Sequence, residues 1–103
     1  MPPKVKFTSD KIIEAAVKIT RAKGIDAVTA REVGKVLGAS SRPIFTYFDT
    51  VEALKKEVYL YAKNLYKEYV ENGLKMKIPF LGVGQQYIHF AKEEPNLYKY
   101  LLF

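Results

Sequence analysis

The sequence of 103 residues predicts an all-α fold: a three-helix head bearing a helix-turn-helix, then a long fourth helix and further helices. Three observations predict it. Residues Thr29 to Phe48 read TAREVGKVLGASSRPIFTYF, two short helical stretches about Gly38. Apolar residues recur at helical spacing on both sides of that motif, from Ile12 to Ile19 and from Leu54 to Tyr69. The helix-ending residues Gly24, Gly38, Pro79 and Pro95 fall between these stretches.

The first helix is expected to begin after Thr8 or Ser9 and to run to Lys23, with Gly24 as its stop. Ile12, Ala16 and Ile19 form its apolar stripe, widened by Ile13, Ala15 and Val17. Lys4 and Lys6 lie ahead of it, either as an ordinary chain terminus or as a basic arm touching DNA phosphates. Thr29 to Glu32 has the form of a capping box, in which hydroxyl and carboxylate satisfy two free amides at the start of the second helix. Val33, Val36 and Leu37 continue that helix, and Gly38 ends it, since a left-handed turn costs little without a Cβ. Ser40 can cap the third helix. Pro43 falls in its first turn, where its missing amide would have had no helical partner. The second helix of such a motif is the one that enters a DNA major groove.

Asp49 or Thr50 caps the fourth helix, with Asp49 to Glu52 again fitting a capping box. No breaker follows until Asn72-Gly73, which reads as the helix stop. Leu54, Val58, Tyr61, Leu65 and Tyr69 share one stripe, and Tyr59, Ala62, Tyr66 and Val70 extend it to a width that suggests contacts on two sides. After Pro79, helical spacing returns at Phe80, Val83, Tyr87, Ile88 and Ala91. Gly82 and Gly84 oppose that helix by about 1 kcal/mol each relative to Ala. Pro95 suits the first position of a last helix, whose strongly apolar end, YLLF, is expected in the front part of a longer protein.

A net charge of +6 favours a polyanionic or acidic partner without choosing between them. The excess is slightly larger in the first half, where nine Lys/Arg face five Asp/Glu through position 50. Absence of cysteine excludes disulfides and thiolate metal sites. No apolar run is long enough to span a bilayer, and MPPKVKFTSD lacks a signal peptide's apolar core, so a cytoplasmic protein without a membrane partner is expected. Catalysis finds no support. His89 has no ligand or paired carboxylate at suitable spacing, Glu93 and Glu94 do not share a helix face, and GVG at 82–84 lacks the rest of a phosphate loop. Neither an enzyme, a cofactor nor a metal is expected.

From Thr8 to Leu54 the chain resembles the N-terminal domain of the TetR family of bacterial transcriptional regulators. The likeness rests on Ile12 with Ala15-Ala16, on Gly24, Thr29 and Arg31, on Gly38-Ala39-Ser40, and on Ile44-Phe45, Phe48 and Leu54. The resemblance implies a homeodomain-like head that binds half of a palindromic operator in double-stranded DNA. It further implies a homodimer, a small-molecule effector, and in most cases repression. It divides the chain into a head, residues 1–49, and a segment, 50–103, holding the connecting helix and the beginning of a regulatory and dimerisation domain. The chain departs from the family pattern at Phe45, often Tyr with a hydroxyl on phosphate, and at Val51, often Lys. It departs also at Gly34, usually Ala, and at Thr20, where a large apolar residue is frequent.

The candidate DNA contacts are Thr29, Arg31, Ser40, Ser41, Arg42, Pro43, Thr46, Tyr47 and Lys55. Arg42, at the start of the recognition helix, suits a bidentate bond to guanine, or else a phosphate. Pro43 faces a thymine methyl or simply starts the helix. Ser41 and Thr46 can bond base or phosphate, while Ser40 also caps. Tyr47 resembles a position that often touches phosphate. Thr29 and Arg31 sit at a helix N-terminus that suits an anion. Lys55 or Lys56 can supply the cation that Val51 does not, or belong to a solvated face. The competing reading is a basic helical module for a protein partner or a membrane surface. Such a module has no need of exposed Ser41, Arg42, Thr46 and Tyr47 around a buried Ile44 and Phe48.

Overall fold

A computed structural model describes residues 7–103, so Lys4 and Lys6 of the basic arm lie outside the described residues. The described chain is all-α: α1 (Ser9–Lys23), α2 (Ala30–Leu37), α3 (Arg42–Tyr47), α4 (Val51–Leu74), α5 (Pro79–Glu93) and α6 (Pro95–Leu102), with a single 3₁₀ turn over Ile25–Ala27.

Local chemistry accounts for most boundaries. The hydroxyls of Thr8, Thr29 and Thr50 each accept an amide hydrogen bond three residues on, from Lys11, Glu32 and Ala53, at 3.2, 3.1 and 3.1 Å. Thr50 therefore caps α4, and Asp49 does not. Only half of the Thr29 box forms as expected, because the Glu32 carboxylate lies 3.4 Å from the Lys35 ammonium. At the end of α2, Gly38 takes the left-handed conformation (φ 70°). The Ala39 amide donates to the Gly34 carbonyl at 2.9 Å and the Gly38 amide to that of Lys35 at 3.1 Å, the paired bonds of a Schellman motif.

One continuous core joins the head to the rest. Ile12, Ala16 and Ile19 of α1 pack with Val28, Val33, Ile44, Phe48 and the start of α4 at Leu54, Val58 and Ala62; Phe90 of α5 and Leu97 of α6 complete the same cluster. Each of the larger aliphatics among them contributes about 1.5–3 kcal/mol through burial. Thr20 is fully buried in the position where an apolar residue was expected, and its hydroxyl donates to the Ala16 carbonyl at 2.8 Å. The polar group is thus satisfied within its own helix.

Three expectations fail, each for a tertiary reason. Val36 stays 43% exposed, because α2 buries only the face that carries Val33 and Gly34. Asn72-Gly73 does not stop α4, which continues to Leu74. Gly73 is instead the place where α4 meets α5: a Cβ there would lie 2.7 Å from the Gly82 carbonyl. On α5 the inward face carries Gly82 and Phe90, while Phe80, Tyr87 and Ile88 of the expected stripe stand exposed. Gly34, a helix-weakening residue by propensity, has a steric role as well. A Cβ on it would meet the Ser40 carbonyl oxygen at 2.9 Å, so its bareness lets the turn fold down on α2.

The polar contacts of α6 tie the head to the body. The Arg21 guanidinium donates to both carboxylate oxygens of Glu94, at 3.0 and 2.6 Å, and lies 5.5 Å from the Tyr61 ring centre. The Asn96 amide donates to the Arg21 carbonyl at 2.8 Å, and the Tyr100 hydroxyl to the Lys55 carbonyl at 2.8 Å. Burial would lower the Arg21 pKa, but the Glu94 hydrogen bond and charge more than reverse this and raise it. Burial, with nearby Glu52, raises the Tyr100 phenol, and burial with Glu93 raises that of Tyr69. A phenol whose folded pKa is raised contributes stability that is whole below the unfolded value near 10 and is lost as pH climbs through the folded one. Melting temperature should therefore fall as pH rises above about 10, and fall less in Tyr69→Phe/Tyr100→Phe, as followed by circular dichroism at a series of alkaline pH values.

Candidate nucleic-acid interface

The six residues of α3 divide cleanly by face. Ile44 is fully buried against α1, and Phe48, one turn on, is nearly so. These two anchors leave Arg42, Phe45, Thr46 and Tyr47 exposed, with Pro43 half-buried. Arg42, Phe45 and Thr46 follow the i, i+3, i+4 rule and share one edge of the helix. The Thr46 hydroxyl lies 3.5 Å from the Arg42 carbonyl, which holds the two residues in a common register.

The lead-in to α3 separates the roles of the two serines. Ser40 Oγ accepts from the Arg42 amide at 3.3 Å and so supplies the cap, whereas Ser41 makes no side-chain cap bond. Ser40 is exposed and Ser41, expected to be exposed, is half-buried; the hydroxyl of each keeps a donor hydrogen for a ligand. At the start of α2, Thr29 Oγ1 is engaged as an acceptor, but a hydroxyl keeps its donor hydrogen for a phosphate oxygen. Arg31 is exposed in the first turn of α2 and forms no ion pair among the described residues.

Placement on α4 is less even. The Lys55 side chain is only 21% exposed and lies 3.8 Å from the Glu52 carboxylate, while Lys56 is exposed and without an ion pair among the described residues. Lys56 is therefore the more available cation of the two. The candidates thus form three groups: Thr29 and Arg31 on α2, Ser40 to Tyr47 on and before α3, and Lys55 on α4. Packing of α2 and α3 about the Gly38 turn, both against α1, brings the first two groups onto one head.

Sequence reasoning passed over Phe45 as a contact because it is apolar. It is 51% exposed beside Arg42 and Thr46, and its spacing from Arg42 was the available signal. Phe45→Tyr would place a hydroxyl on that edge. It should tighten DNA binding by roughly 0.5–1.5 kcal/mol, one neutral hydrogen bond. The slope of affinity against salt should not change, since a phenol releases no counterion. Fluorescence anisotropy titrations at several salt concentrations measure both quantities.

No set of three or more His, Asp or Glu side chains gathers at metal-binding distance among the described residues, and none of their helices is long and apolar enough to cross a membrane. Neither the curated proteins nor the solved structures offer a match to the chain. The family model for bacterial regulatory proteins of the tetR family matches residues 12–58, from the buried Ile12 to the buried Val58. That span begins in α1, contains the whole Gly38 turn and α3, and ends where α4 leaves the head. Residues 12–58, just under half of the chain, thus match the N-terminal helix-turn-helix domain of the TetR family of bacterial regulatory proteins, a match that points to a DNA-binding transcription regulator.

Proposed function

We propose that the protein is a ligand-responsive repressor that binds a palindromic operator as a dimer. The observation that carries this reading is the exposed edge of α3, Arg42 with Phe45 and Thr46, held outward by the buried Ile44 and Phe48. In the proposed complex α3 enters the major groove. Arg42 reads a guanine, Pro43 and Phe45 meet apolar base edges, and Ser41 and Thr46 bond to base or phosphate. Thr29, Arg31, Tyr47 and the lysines at the start of α4, Lys55 and Lys56, hold phosphates and set the register, while Ser40 orders the turn. Residues 1–49 then serve as the head, and residues 50–103 connect it to regulation and dimerisation. The protein acts in the cytoplasm, with double-stranded DNA and a small-molecule effector as its partners and no catalytic step of its own.

Two heads on one duplex require half-sites about one helical turn apart. The test is fluorescence anisotropy with the DNA immediately upstream of the protein's own gene, set against a scrambled duplex at low and moderate salt. Preference for the upstream duplex that persists as salt rises supports the proposal. Equal binding to both that vanishes with salt would reduce the head to a basic surface.

A further inference from the structure

The last helix makes polar contacts that its own folding does not require. Glu94 stands in the N-cap position of α6, yet its side chain caps nothing there. Both carboxylate oxygens go to the Arg21 guanidinium instead. Two residues on, the Asn96 amide donates to the Arg21 carbonyl at 2.8 Å. That carbonyl lies in the last turn of α1, where a helix leaves its acceptors without partners. At the far end of α6 the Tyr100 hydroxyl donates to the Lys55 carbonyl at 2.8 Å, and its ring stands edge-on to Tyr59 at 5.7 Å. The Lys55 carbonyl lies within α4, so the phenol takes the second lone pair of an acceptor that the helix already uses. Between these anchors Leu97 is fully buried in the common core, which fixes the middle of α6.

The anchors stand on either side of the DNA-reading segment. Arg21 is near the end of α1 and Lys55 near the start of α4, and the 3₁₀ turn, α2, the Gly38 turn and α3 all lie between them. Arg42 takes its place from α1, on which α3 is seated through Ile44. Lys56 takes its place from α4, directly after the anchored Lys55, and is exposed and without an ion pair among the described residues. The distance between these two cations therefore depends on how α4 sits against α1. Apolar packing of Ile12 with Leu54 and Val58 holds the helices together but is not directional. Hydrogen bonds are directional, and an eight-residue helix with such bonds at both ends fixes the register of the two.

We propose that α6 staples the end of α1 to the start of α4 and so sets Lys56 at a fixed distance from the reading edge of α3, which makes Glu94, Asn96 and Tyr100 positioning residues for DNA binding. They act through the contact of Lys56 with phosphate. A staple already in place spares complex formation the entropy of ordering the two helices. The inference rests on the reading of α3 and Lys56 as DNA contacts. Its test does not need a true operator, because phosphate contacts carry no sequence.

The test is fluorescence anisotropy of the full chain at several salt concentrations, on the duplex upstream of its gene and on a scrambled duplex. Tyr100→Phe keeps the ring on Tyr59 and removes only a neutral hydroxyl. It should weaken binding to both duplexes roughly threefold to tenfold and lower the salt slope by about one, as Lys56→Ala does. Adding Lys56→Ala to Tyr100→Phe should then cost little more, because both changes remove one contact. Glu94→Gln should act like Tyr100→Phe although it makes the chain more basic, and Arg21→Glu/Glu94→Arg, which restores the pair, should recover affinity and slope. An unchanged slope in Tyr100→Phe, or losses that add to those of Lys56→Ala, would overturn the proposal. So would a lower thermal transition in circular dichroism with DNA binding intact, the mark of a purely structural bond. Altered slopes in a chain that shows no preference for the upstream duplex would support the staple and sink the operator reading alone.

Discussion

Gly82→Ala should cost the protein about 2–3 kcal/mol, whereas Gly84→Ala, two residues on in the same helix, should add about 0.5–1 kcal/mol. Propensity alone predicts the same gain at both positions, because each glycine lies inside α5 and each alanine would remove backbone freedom from the unfolded chain. The difference is the neighbour. A Cβ on Gly82 would press into the Gly73 carbonyl oxygen and lie 2.9 Å from the Met76 Cβ, a backbone atom and a carbon fixed directly to the backbone, neither of which can rotate away. The helices would have to separate, loosening the Tyr66, Tyr69 and Phe90 rings packed between them. At Gly84 the added methyl meets nothing. Urea titrations of the two variants beside the parent protein measure the difference. Equal stabilisation by both would show that α4 and α5 do not cross at these glycines.

Arg42→Ala should weaken operator binding by about 1–3 kcal/mol and relax preference at a single base pair. The reason lies in its surroundings. Arg42 is exposed, has no ion-pair partner among the described residues, and sits on the α3 edge that Ile44 and Phe48 hold away from the core. Nothing in the head depends on its side chain, so the loss should appear in binding with the thermal transition unmoved. A bidentate Arg–guanine bond discriminates against other bases by that same amount, while an Arg–phosphate bond discriminates against none. Equal losses on the operator and on a scrambled duplex, with a shallower salt slope, would assign Arg42 to phosphate.

Much of this protein was legible in the linear order of its residues, since helix boundaries depend on atoms a few residues apart. A threonine three residues before a free amide, a glycine at a left-handed turn and a proline at the first helical position act within one or two turns of chain. The ends of α1, α2, α5 and α6 follow from Thr8, Thr29, Gly38, Pro79 and Pro95. The buried pair Ile44 and Phe48, and hence the outward edge of α3, follow from spacing alone.

What the tertiary structure alone decided concerns residues whose meaning depends on what lies opposite. Asn72-Gly73 has the composition of a helix stop, yet Gly73 is a crossing point because Gly82 faces it from the next helix. The apolar spacing of α5 announces a buried face, but Gly82 and Phe90 turn inward and Phe80 and Ile88 outward, because α4 approaches from the glycine side. Lys55 and Lys56 are equivalent in sequence, and only the Glu52 contact, with Tyr100 bound to the Lys55 carbonyl, makes Lys55 the more covered. Hydrophobic periodicity states that a helix has an inside; which side that is depends on the long-range contacts that the rest of the chain supplies.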